Sequence, residues 1–331
     1  LAKGNMHGSD LHPLGVLFAL LTTITWAMGI FPFTQAARRL GIGPLNFFRL
    51  VLATCFIAVL AFMFPPSFLA IFGSHYFPAW CWLGLSGIIG LTVGDYFGFA
   101  MYAVLGARLG SVLTTFAPGA ALVTGMLIVD EHMTWAGILG MVITIAGVIW
   151  ISLSKSERER ASDTRFGSIA KGIIYGVLAA FCQGAGLVLA KKGMLDQAAA
   201  GLPLHPVHAT FMRLSIGTLS LLIMILLTRK WNQTVFPIRI NKEGGIRFAV
   251  LGTIFGPTLG VSLSLFTVAY LDAAAAQTIF SLVPVVALFL SYFLIREKIT
   301  GKSLIGVLVA VSGVIILIWH RQLEALLHLA P

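Results

Sequence analysis

One acidic residue, Asp95, lies in the middle of an apolar run, where acidic side chains are rare. Its surroundings, GIIGLTVGDYFGFAMY, contain no other charge, and no other acid lies as deep in an apolar run. A carboxylate inside a membrane is costly unless it faces a cavity or a partner. Asp95 is therefore a candidate to bind a cationic group or to titrate with coupling protons. The alternative is a structural carboxylate that caps a broken helix or pairs with Arg49 or Arg213.

Two arginines and two glutamates occupy matching places along the chain. Arg49 and Arg213 lie at the starts of two apolar runs, where they can attract anionic solutes at each mouth or anchor a helix at the membrane surface. Glu131 and Glu297 follow two other runs, and we interpret them as helix caps or gate contacts.

Polar and aromatic side chains within the runs are candidates to line a solute cavity. Trp26 and Gln183 form a plausible pair, because an indole and an amide can hold a planar or amino-acid-like solute. Hydrogen bonding between buried helices would leave the same pattern, so both interpretations stay open. Weaker candidates of the same kind are Tyr96, Tyr102, Tyr270, Gln277 and Thr278. The prolines predicted to kink a span, as hinges or by freeing carbonyl groups for a solute, are Pro118, Pro257 and Pro284.

The composition indicates what kind of scaffold positions these residues. Of 331 residues, 58% are hydrophobic and 10% are charged, and the mean hydropathy is +0.95. This excludes a water-soluble enzyme, in which about a quarter of the residues are charged. The net charge of +10 comes from basic residues in short gaps between apolar runs, so it indicates orientation in a bilayer rather than nucleic-acid binding.

Known signatures of cofactor, metal and enzyme chemistry are absent from the sequence. Cys55, Cys81 and Cys182 all fall inside apolar runs and lack the spacing of a disulfide framework or a metal site. No phosphate-binding loop or nucleophile–base pair is present either, so we expect no cofactor and no enzyme activity. Residues 1–10 are expected to be a disordered tail, and no cleavable signal peptide is evident.

The apolar runs are long enough for helices that cross a membrane, which need about 20 residues each. They are apolar on every side, whereas strands of a membrane barrel alternate. The ten predicted spans are Pro13–Phe33, Pro44–Phe64, Trp80–Leu105, Ala107–Val129, Trp135–Leu153, Ser168–Ala190, Val207–Thr228, Arg247–Leu271, Ala273–Ile295 and Lys302–Trp319.

The basic residues predict how these spans are oriented. We number each loop by the predicted span that precedes it. Seventeen of the 22 Lys and Arg residues lie in or next to the odd-numbered loops, and five lie on the side of the even-numbered loops and the termini. Because cytoplasmic loops carry the excess of basic residues, the charged loop Ser154–Lys171 is predicted to be cytoplasmic and both termini outside. The chain is therefore expected to be a multi-pass protein of the inner or plasma membrane.

The chain also repeats itself. Shifts of 157 and 164 residues near the start match Gly15 with Gly172 and Arg49 with Arg213. A later shift of 166 matches Gly90 with Gly256, Gly94 with Gly260, Leu105 with Leu271, Pro118 with Pro284, Glu131 with Glu297, Gly140 with Gly306 and Gly147 with Gly313. An ordered series of this kind indicates duplication, with Asn5–Lys155 and Ser156–Pro331 as the halves.

Each half contains five spans, so the second half must enter the membrane inverted relative to the first. The predicted fold is thus an all-α integral membrane protein with ten transmembrane helices in two inverted five-helix repeats. Inverted repeats are common in secondary transporters, where the substrate lies near the midplane between the halves.

The two halves resemble the drug/metabolite transporter superfamily, specifically its ten-helix EamA-type members. Each half has a proline, an acidic loop residue and a glycine-rich last span. The segments that carry the resemblance are LGARLGSVLTTFAPGAALVTGMLIVDEHMTWAGILGMVITIAGVIWI (105–151) and AYLDAAAAQTIFSLVPVVALFLSYFLIREKITGKSLIGVLVAVSGVIILI (269–318). The resemblance implies a central cavity lined mainly by helices 1, 3, 4, 6, 8 and 9.

The predicted function is secondary-active or facilitative transport of a small organic solute by alternating access. The resemblance favours export of an amino acid or a related metabolite, by a monomer or weak homodimer. Span 1 contains no acid, which counts against proton-coupled cation exchange of the small multidrug-resistance type. The alternatives are a flippase for a lipid-linked group, a multidrug or cation exporter, and a membrane receptor or assembly subunit without transport.

Overall fold

The computed structural model describes residues 12–154, 168–295 and 301–326, and the regular structure within these ranges is helical. The predicted tail, most of the charged linker and Glu297 lie outside the described residues. The α-helices are α1 (Pro13–Leu40), α2 (Ile42–Ala61), α3 (Phe77–Gly87), α4 (Asp95–Thr114), α5 (Ala117–Ile128), α6 (Trp135–Ser154), α7 (Ile169–Ala199), α8 (Pro206–Leu227), α9 (Trp231–Ile240), α10 (Gly245–Thr253), α11 (Val261–Val268), α12 (Ala273–Phe280), α13 (Val283–Ile295), α14 (Gly301–Ile318) and α15 (His320–Leu326).

Within the described ranges, eight helical segments are long and apolar enough to cross a membrane, and two shorter apolar helices, Ala117–Ile128 and Trp135–Ile151, accompany them. These ten segments follow the order of the ten predicted spans. The bundle is therefore an all-helical, multi-pass membrane protein.

Two helical segments with π geometry interrupt the bundle at matching positions. The first π segment, Ile88–Gly94, joins α3 to α4, and the second, Ile254–Gly260, joins α10 to α11. Both contain seven residues, and they lie 166 residues apart, the shift that relates the repeats. A π turn widens the helix, leaves part of the backbone less regularly bonded and often occurs at functional sites.

Two helices continue well beyond the predicted apolar runs. The first run was predicted to end at Phe33, but α1 reaches Leu40, and the sixth was predicted to end at Ala190, but α7 reaches Ala199. Hydropathy marks where polar residues begin, whereas a helix ends where its hydrogen bonding stops. For α1 that point is Gly41, whose φ of +89° is a conformation that favours glycine.

The chain reverses direction within α4. In a straight α-helix, Met101 and Leu113 would be about 18 Å apart. Instead, both side chains contact Gly176 of α7, where an added methyl group would lie 2.8 Å from Sδ of Met101 and against Cδ1 of Leu113. α3 and the first part of α4 therefore run antiparallel to α7, and α5 returns alongside it.

The centre of the bundle is formed by α12 and its neighbours. All eight residues of α12 are buried, and the helix ends at a break before Pro284, the second residue of α13. In the first half the equivalent break precedes Pro118, the second residue of α5, while Pro257 lies inside the second π segment. The three prolines thus occur where helices start or widen.

Candidate functional site

The first π segment presents Asp95 at its end, as the first residue of α4. Nη2 of Arg49, on α2, donates a hydrogen bond to Oδ2 of Asp95, and the two side chains are 11% and 13% exposed respectively. Asn46 orients the arginine, because its Oδ1 accepts a hydrogen bond of 2.9 Å from Nε of Arg49. Asp95 therefore has a cationic partner already, as the structural alternative requires.

The guanidinium of Arg49 also lies over two aromatic rings. It is 5.2 Å from the ring centre of Phe99 and 5.8 Å from that of Phe33. Arginine stacks well on aromatic faces, and such contacts fix its plane. Arg49 is thus held by a carboxylate, an amide and two rings, inside the bundle rather than at a membrane surface.

Arg213, the counterpart of Arg49 in the second half, is buried at 6% exposure and differs sharply in its partners. Its Nε has no hydrogen-bond partner among the described residues, and it forms no ion pair with a described carboxylate. Its Nη2 lies beside Gly90 in the first π segment, 2.8 Å from where a methyl group on that glycine would be. Asp95 is close enough to act on Arg213 electrostatically, although Arg49 holds the carboxylate.

The three side chains form what we call the charge cluster: Arg49, Asp95 and Arg213. Two guanidinium groups share one carboxylate, so the cluster carries a formal charge of +1. An uncompensated charge in a low-dielectric interior is unfavourable. The cluster is therefore chemically suited to accept an anion, and its one carboxylate, which Arg49 already binds, is not free to bind a cation.

A second ionic cluster ties the loop after α5 to α7 and α12. Nζ of Lys191 lies 2.6 Å from Glu131 and 3.3 Å from Asp272, and it donates a hydrogen bond of 2.8 Å to the carbonyl of Leu271. Oε2 of Glu131 accepts a hydrogen bond of 2.9 Å from the backbone of Ala273, the first residue of α12. Glu131 thus caps a helix of the other half, and we call Glu131, Lys191 and Asp272 the latch.

Burial raises the pKa of Glu131 above its usual value, and Lys191 opposes this effect without cancelling it. The ionised carboxylate is therefore held in place by its neighbours at a cost in desolvation. This makes the latch a contact whose strength depends on the protonation of one loop residue.

Trp26 and Gln183 both face the inside of the bundle. The exposed residues of α1 include Leu14, Leu17 and Ile24, and at 100° per residue Trp26 lies roughly opposite the centre of that stripe. Gln183 is exposed although it lies roughly 135° from the apolar stripe of α7, so it opens onto a space between helices.

Helix α12 lies between these two residues. The ring of Trp26 contacts that of Phe280, with 5.1 Å between ring centres. Nε2 of Gln277 donates a hydrogen bond of 3.3 Å to the backbone carbonyl of Gln183. The structure therefore links Trp26, Gln183 and Gln277 through one buried helix.

The remaining predicted residues lie elsewhere or are committed to local bonds. The hydroxyl of Thr278 donates to the carbonyl of Ala274 in its own helix. Tyr270 follows α11 and stacks on His12 and Phe18, at one end of the bundle. Tyr96 is 52% exposed beside Phe97, and the side chain of Tyr102 lies outside the described residues, as does Glu297.

Sequence reasoning missed several functional contacts. Lys191 was interpreted only as a loop charge, yet it is buried at the centre of the latch, and Asp272 was not considered. The available signal was the position of Lys191 directly after a predicted span, where a lysine can bend inward to a carboxylate. The sequence offered both Arg49 and Arg213 as partners of Asp95 but could not show that both lie near it, because the position of Arg213 depends on how α8 packs on α3.

The charge cluster and the latch contain no metal-binding group, since no set of three His, Cys, Asp or Glu residues that could hold a metal ion occurs among the described residues. The bundle, its two π segments and its ionic clusters are features that can be compared with known proteins.

No curated protein matches the chain. A solved structure recorded as "Crystal structure of protein" matches with a TM-score of 0.64 and 14% sequence identity, covering 94% of this chain and 98% of that chain. Identity this low shows similarity of fold alone. The family model of the EamA-like transporter family matches residues 13–153 and again residues 170–319, which confirms the resemblance seen in the sequence. Because these two matches cover most of its length, the chain belongs to the EamA-like transporter family.

Proposed function

We propose that this EamA-family membrane transporter moves a small organic solute by alternating access between two inverted five-helix halves, residues 5–155 and 156–331. The solute would be an amino acid or a related metabolite, and the direction would be export. Transport would be secondary-active or facilitative, by a monomer or a weak homodimer. The observation that carries the proposal is a set of contacts that occur twice. In the second copy of each contact, both residues are replaced by their equivalents in the other half.

These exchanged contacts support a two-fold relation. An added methyl group at Gly15 would lie 2.6 Å from Cγ of Leu271, and one at Gly172 would lie 2.6 Å from Cγ of Leu105. Gly15 matches Gly172 and Leu105 matches Leu271 in the repeat, so the two contacts are the same contact made twice. A pair of identical interfaces allows the two halves to exchange conformations, which is how inverted repeats produce alternating access.

The last helices of the halves show the same relation. An added methyl group at Gly140 of α6 would lie 2.7 Å from the carbonyl oxygen of Gly313 on α14, and one at Gly147 would lie 2.8 Å from that of Gly306. Gly140 matches Gly306 and Gly147 matches Gly313. Small residues let the two backbones approach closely, as is typical of helix pairs in membranes.

The directions of α1 and α7 support inversion. Gly15, near the start of α1, and Lys191, near the end of α7, both contact Leu271. Gly172, which matches Gly15, lies about 28 Å from Lys191 along α7. The matching helices α1 and α7 therefore run in opposite directions, as inverted repeats require.

Contacts between loops support ten crossings. Arg39, in the last turn of α1, donates a hydrogen bond of 3.0 Å to the carbonyl of Glu243 before α10, which brings the ends of two odd-numbered loops together. Gln197 at the end of α7 donates one of 3.1 Å to the carbonyl of His75 before α3, which places two even-numbered loops together. With ten crossings, loops on the same side of the membrane can meet in just this way.

Topology can be tested with single cysteines in a variant whose three native cysteines are replaced by alanine. Glu243→Cys and Ser67→Cys introduce thiols at exposed positions in an odd-numbered and an even-numbered loop. In intact cells, an impermeant maleimide should label position 67 and should label position 243 only after permeabilisation. Labelling of both positions from outside would contradict the ten-helix topology.

Transport is best tested by counterflow in proteoliposomes, with panels of amino acids, organic acids, amines and lipid-linked sugars. Each panel is measured with and without a pH gradient, to detect coupling to protons. Accelerated exchange of a soluble solute is expected, and empty liposomes provide the control. Exchange confined to lipid-linked substrates would instead favour a flippase, and exchange of amines alone would favour a cation exporter.

A further inference from the structure

Arg213 is a buried cation that lacks a partner of its own. It is 6% exposed, its Nε has no hydrogen-bond partner among the described residues, and the one carboxylate near it is bound by Arg49. Buried polar groups in proteins are almost always hydrogen-bonded, so an exception needs an explanation. A ligand that is present for part of a transport cycle provides one.

We propose that Arg213 binds the carboxylate of the transported solute, and that the solute is a small monocarboxylate anion. This inference rests on the transport function proposed above, and it narrows the solute to those metabolites related to amino acids that carry one carboxylate and no amino group. Guanidinium groups bind carboxylates through two parallel hydrogen bonds, which gives both affinity and a fixed orientation.

The position of Arg213 fits this role. It projects from α8 toward the first π segment, where Gly90 lacks the side chain that would collide with Nη2. Gly186 of α7 also packs against Gly90, so three helical segments approach one another with little side-chain bulk between them. A bound group at this point would contact both halves, because Gly90 belongs to the first half and Arg213 to the second.

The charge of the cluster selects the class of solute. Arg49, Asp95 and Arg213 sum to +1, and one monocarboxylate brings the total to zero. An amine would raise it to +2, a dianion would leave −1, and a neutral amide would leave the guanidinium uncompensated. Because uncompensated charge is unfavourable in the membrane interior, the monocarboxylate is the best match.

Arg49 does not compete for the solute. Its guanidinium is occupied by Asp95, Asn46 and two aromatic rings. The pair also fixes Asp95, which would otherwise be free to neutralise Arg213. Arg49 and Asp95 therefore act as positioning residues that keep Arg213 available.

The first test measures binding in detergent by thermal stabilisation. The probes are lactate, phenyllactate and gluconate, which are monocarboxylates of different size and shape, each paired with its amide. At least one acid should raise the Tm of the native protein, and its amide should not. Arg213→Gln should weaken binding of that acid at least about tenfold, as expected for loss of a charge-assisted hydrogen bond.

Two further variants separate binding from folding. Arg213→Gln leaves the neutral Arg49–Asp95 pair, so the unliganded variant should be as stable as the native protein or more so. A structural role for Arg213 would instead lower its Tm. Lys192→Gln removes a basic residue that pairs with Asp196 at the end of α7, and it should bind the acid like the native protein.

Counterflow of the same compounds tests the carboxylate site and the transport function separately. Exchange of monocarboxylates that is lost in Arg213→Gln and kept in Lys192→Gln is the expected result. Exchange of amides or amines that survives in Arg213→Gln would overturn the carboxylate site and leave the transporter standing. Absence of exchange of any solute would count against the transport function itself.

Discussion

The two π segments have the same backbone and different surroundings. Ile88–Gly94 and Ile254–Gly260 are equal in length and related by the repeat. The first is followed by Asp95 and packs against Arg213 at Gly90. The second is followed by Val261, and at Gly256 it packs against the ring of Phe33 instead.

The difference separates what the duplication preserved from what it did not. Both halves keep the π segment, so this feature of the backbone is symmetric. At the position of Asp95 the second half has Val261, while the arginine is present in both halves, as Arg49 and Arg213. One arginine is therefore paired with a carboxylate and the other is not, and the binding site that we propose is asymmetric.

Removing the acid should have the largest effect. Asp95→Asn leaves Arg49 and Arg213 as two buried cations without a carboxylate. Breaking a buried ion pair by removing one partner typically costs about 3–5 kcal/mol. We therefore expect a large fall in Tm for the purified protein in detergent.

The double variant Asp95→Asn with Arg213→Gln tests the cause of that loss. It restores the native formal charge of +1, so it should recover part of the Tm lost in Asp95→Asn. If the double variant were less stable than Asp95→Asn alone, charge balance would not be the reason for the pairing.

A matched pair of glycine substitutions should separate the two π segments. In Gly256→Ala the new methyl group would lie 2.7 Å from Cε2 of Phe33, a ring that also supports Arg49. Overpacking of this kind costs about 1–3 kcal/mol. In Gly90→Ala the methyl group meets the flexible end of Arg213, so the Tm should change less while monocarboxylate binding weakens. Equal effects of both variants on Tm and binding would contradict the asymmetry.

Much of this architecture is predictable from the sequence. Apolar runs of about 20 residues predicted the order of the membrane segments. The repeat matched Gly90 with Gly256, and the structure places them in equivalent helical segments. The prolines were predicted to break or kink their spans, and they lie at helix starts and in a π segment, because proline lacks the N–H that a regular helix needs. Such features can be predicted because each depends on residues that are close together in the sequence.

The charge cluster was not predictable to the same extent. Asp95 was recognised by its depth, and pairing with Arg49 or Arg213 was one of two open alternatives. Which arginine forms the ion pair depends on where α2 and α8 lie relative to the start of α4, which no local pattern encodes. Lys191 was missed for the same reason, since its partners Glu131 and Asp272 are distant in sequence.

The latch predicts a pH dependence of the stability of the folded protein. The pKa of Glu131 is raised in the folded protein above its usual value of 4.5 by burial. Its contribution to stability is therefore full below that usual value and is lost as the pH rises through the raised pKa. Glu131→Gln should abolish this component, so the Tm difference between native and variant should change with pH.

The measurement is Tm against pH for both proteins, from about pH 4 to pH 8. The native protein should lose stability relative to Glu131→Gln as the pH rises across the window above 4.5. Thr218→Val, an uncharged substitution in α8, serves as the control and should follow the native pH dependence. Parallel curves for native and Glu131→Gln would show that the latch does not titrate.

The smallest expected effect concerns a hydrogen bond between two residues that occupy equivalent positions in the two halves. Thr54 on α2 and Thr218 on α8 are matched by the 164-residue shift, and their hydroxyl oxygens are 2.9 Å apart. Two equivalent residues can touch only on the axis that relates the halves. Because the Thr54 hydroxyl donates to the carbonyl of Leu50, the Thr218 hydroxyl is the donor between them.

A double-mutant cycle with Thr54→Val and Thr218→Val should give a coupling energy of about 0.6 kcal/mol, the average for hydrogen bonds between membrane helices. Unfolding in mixed micelles measures it. Thr22, whose hydroxyl bonds to Phe18 in its own helix, provides the control, and Thr22→Val with Thr218→Val should be additive. Coupling no larger than in the control would mean that these hydroxyls do not meet, and the proposed two-fold relation between the halves would lose the support of this contact.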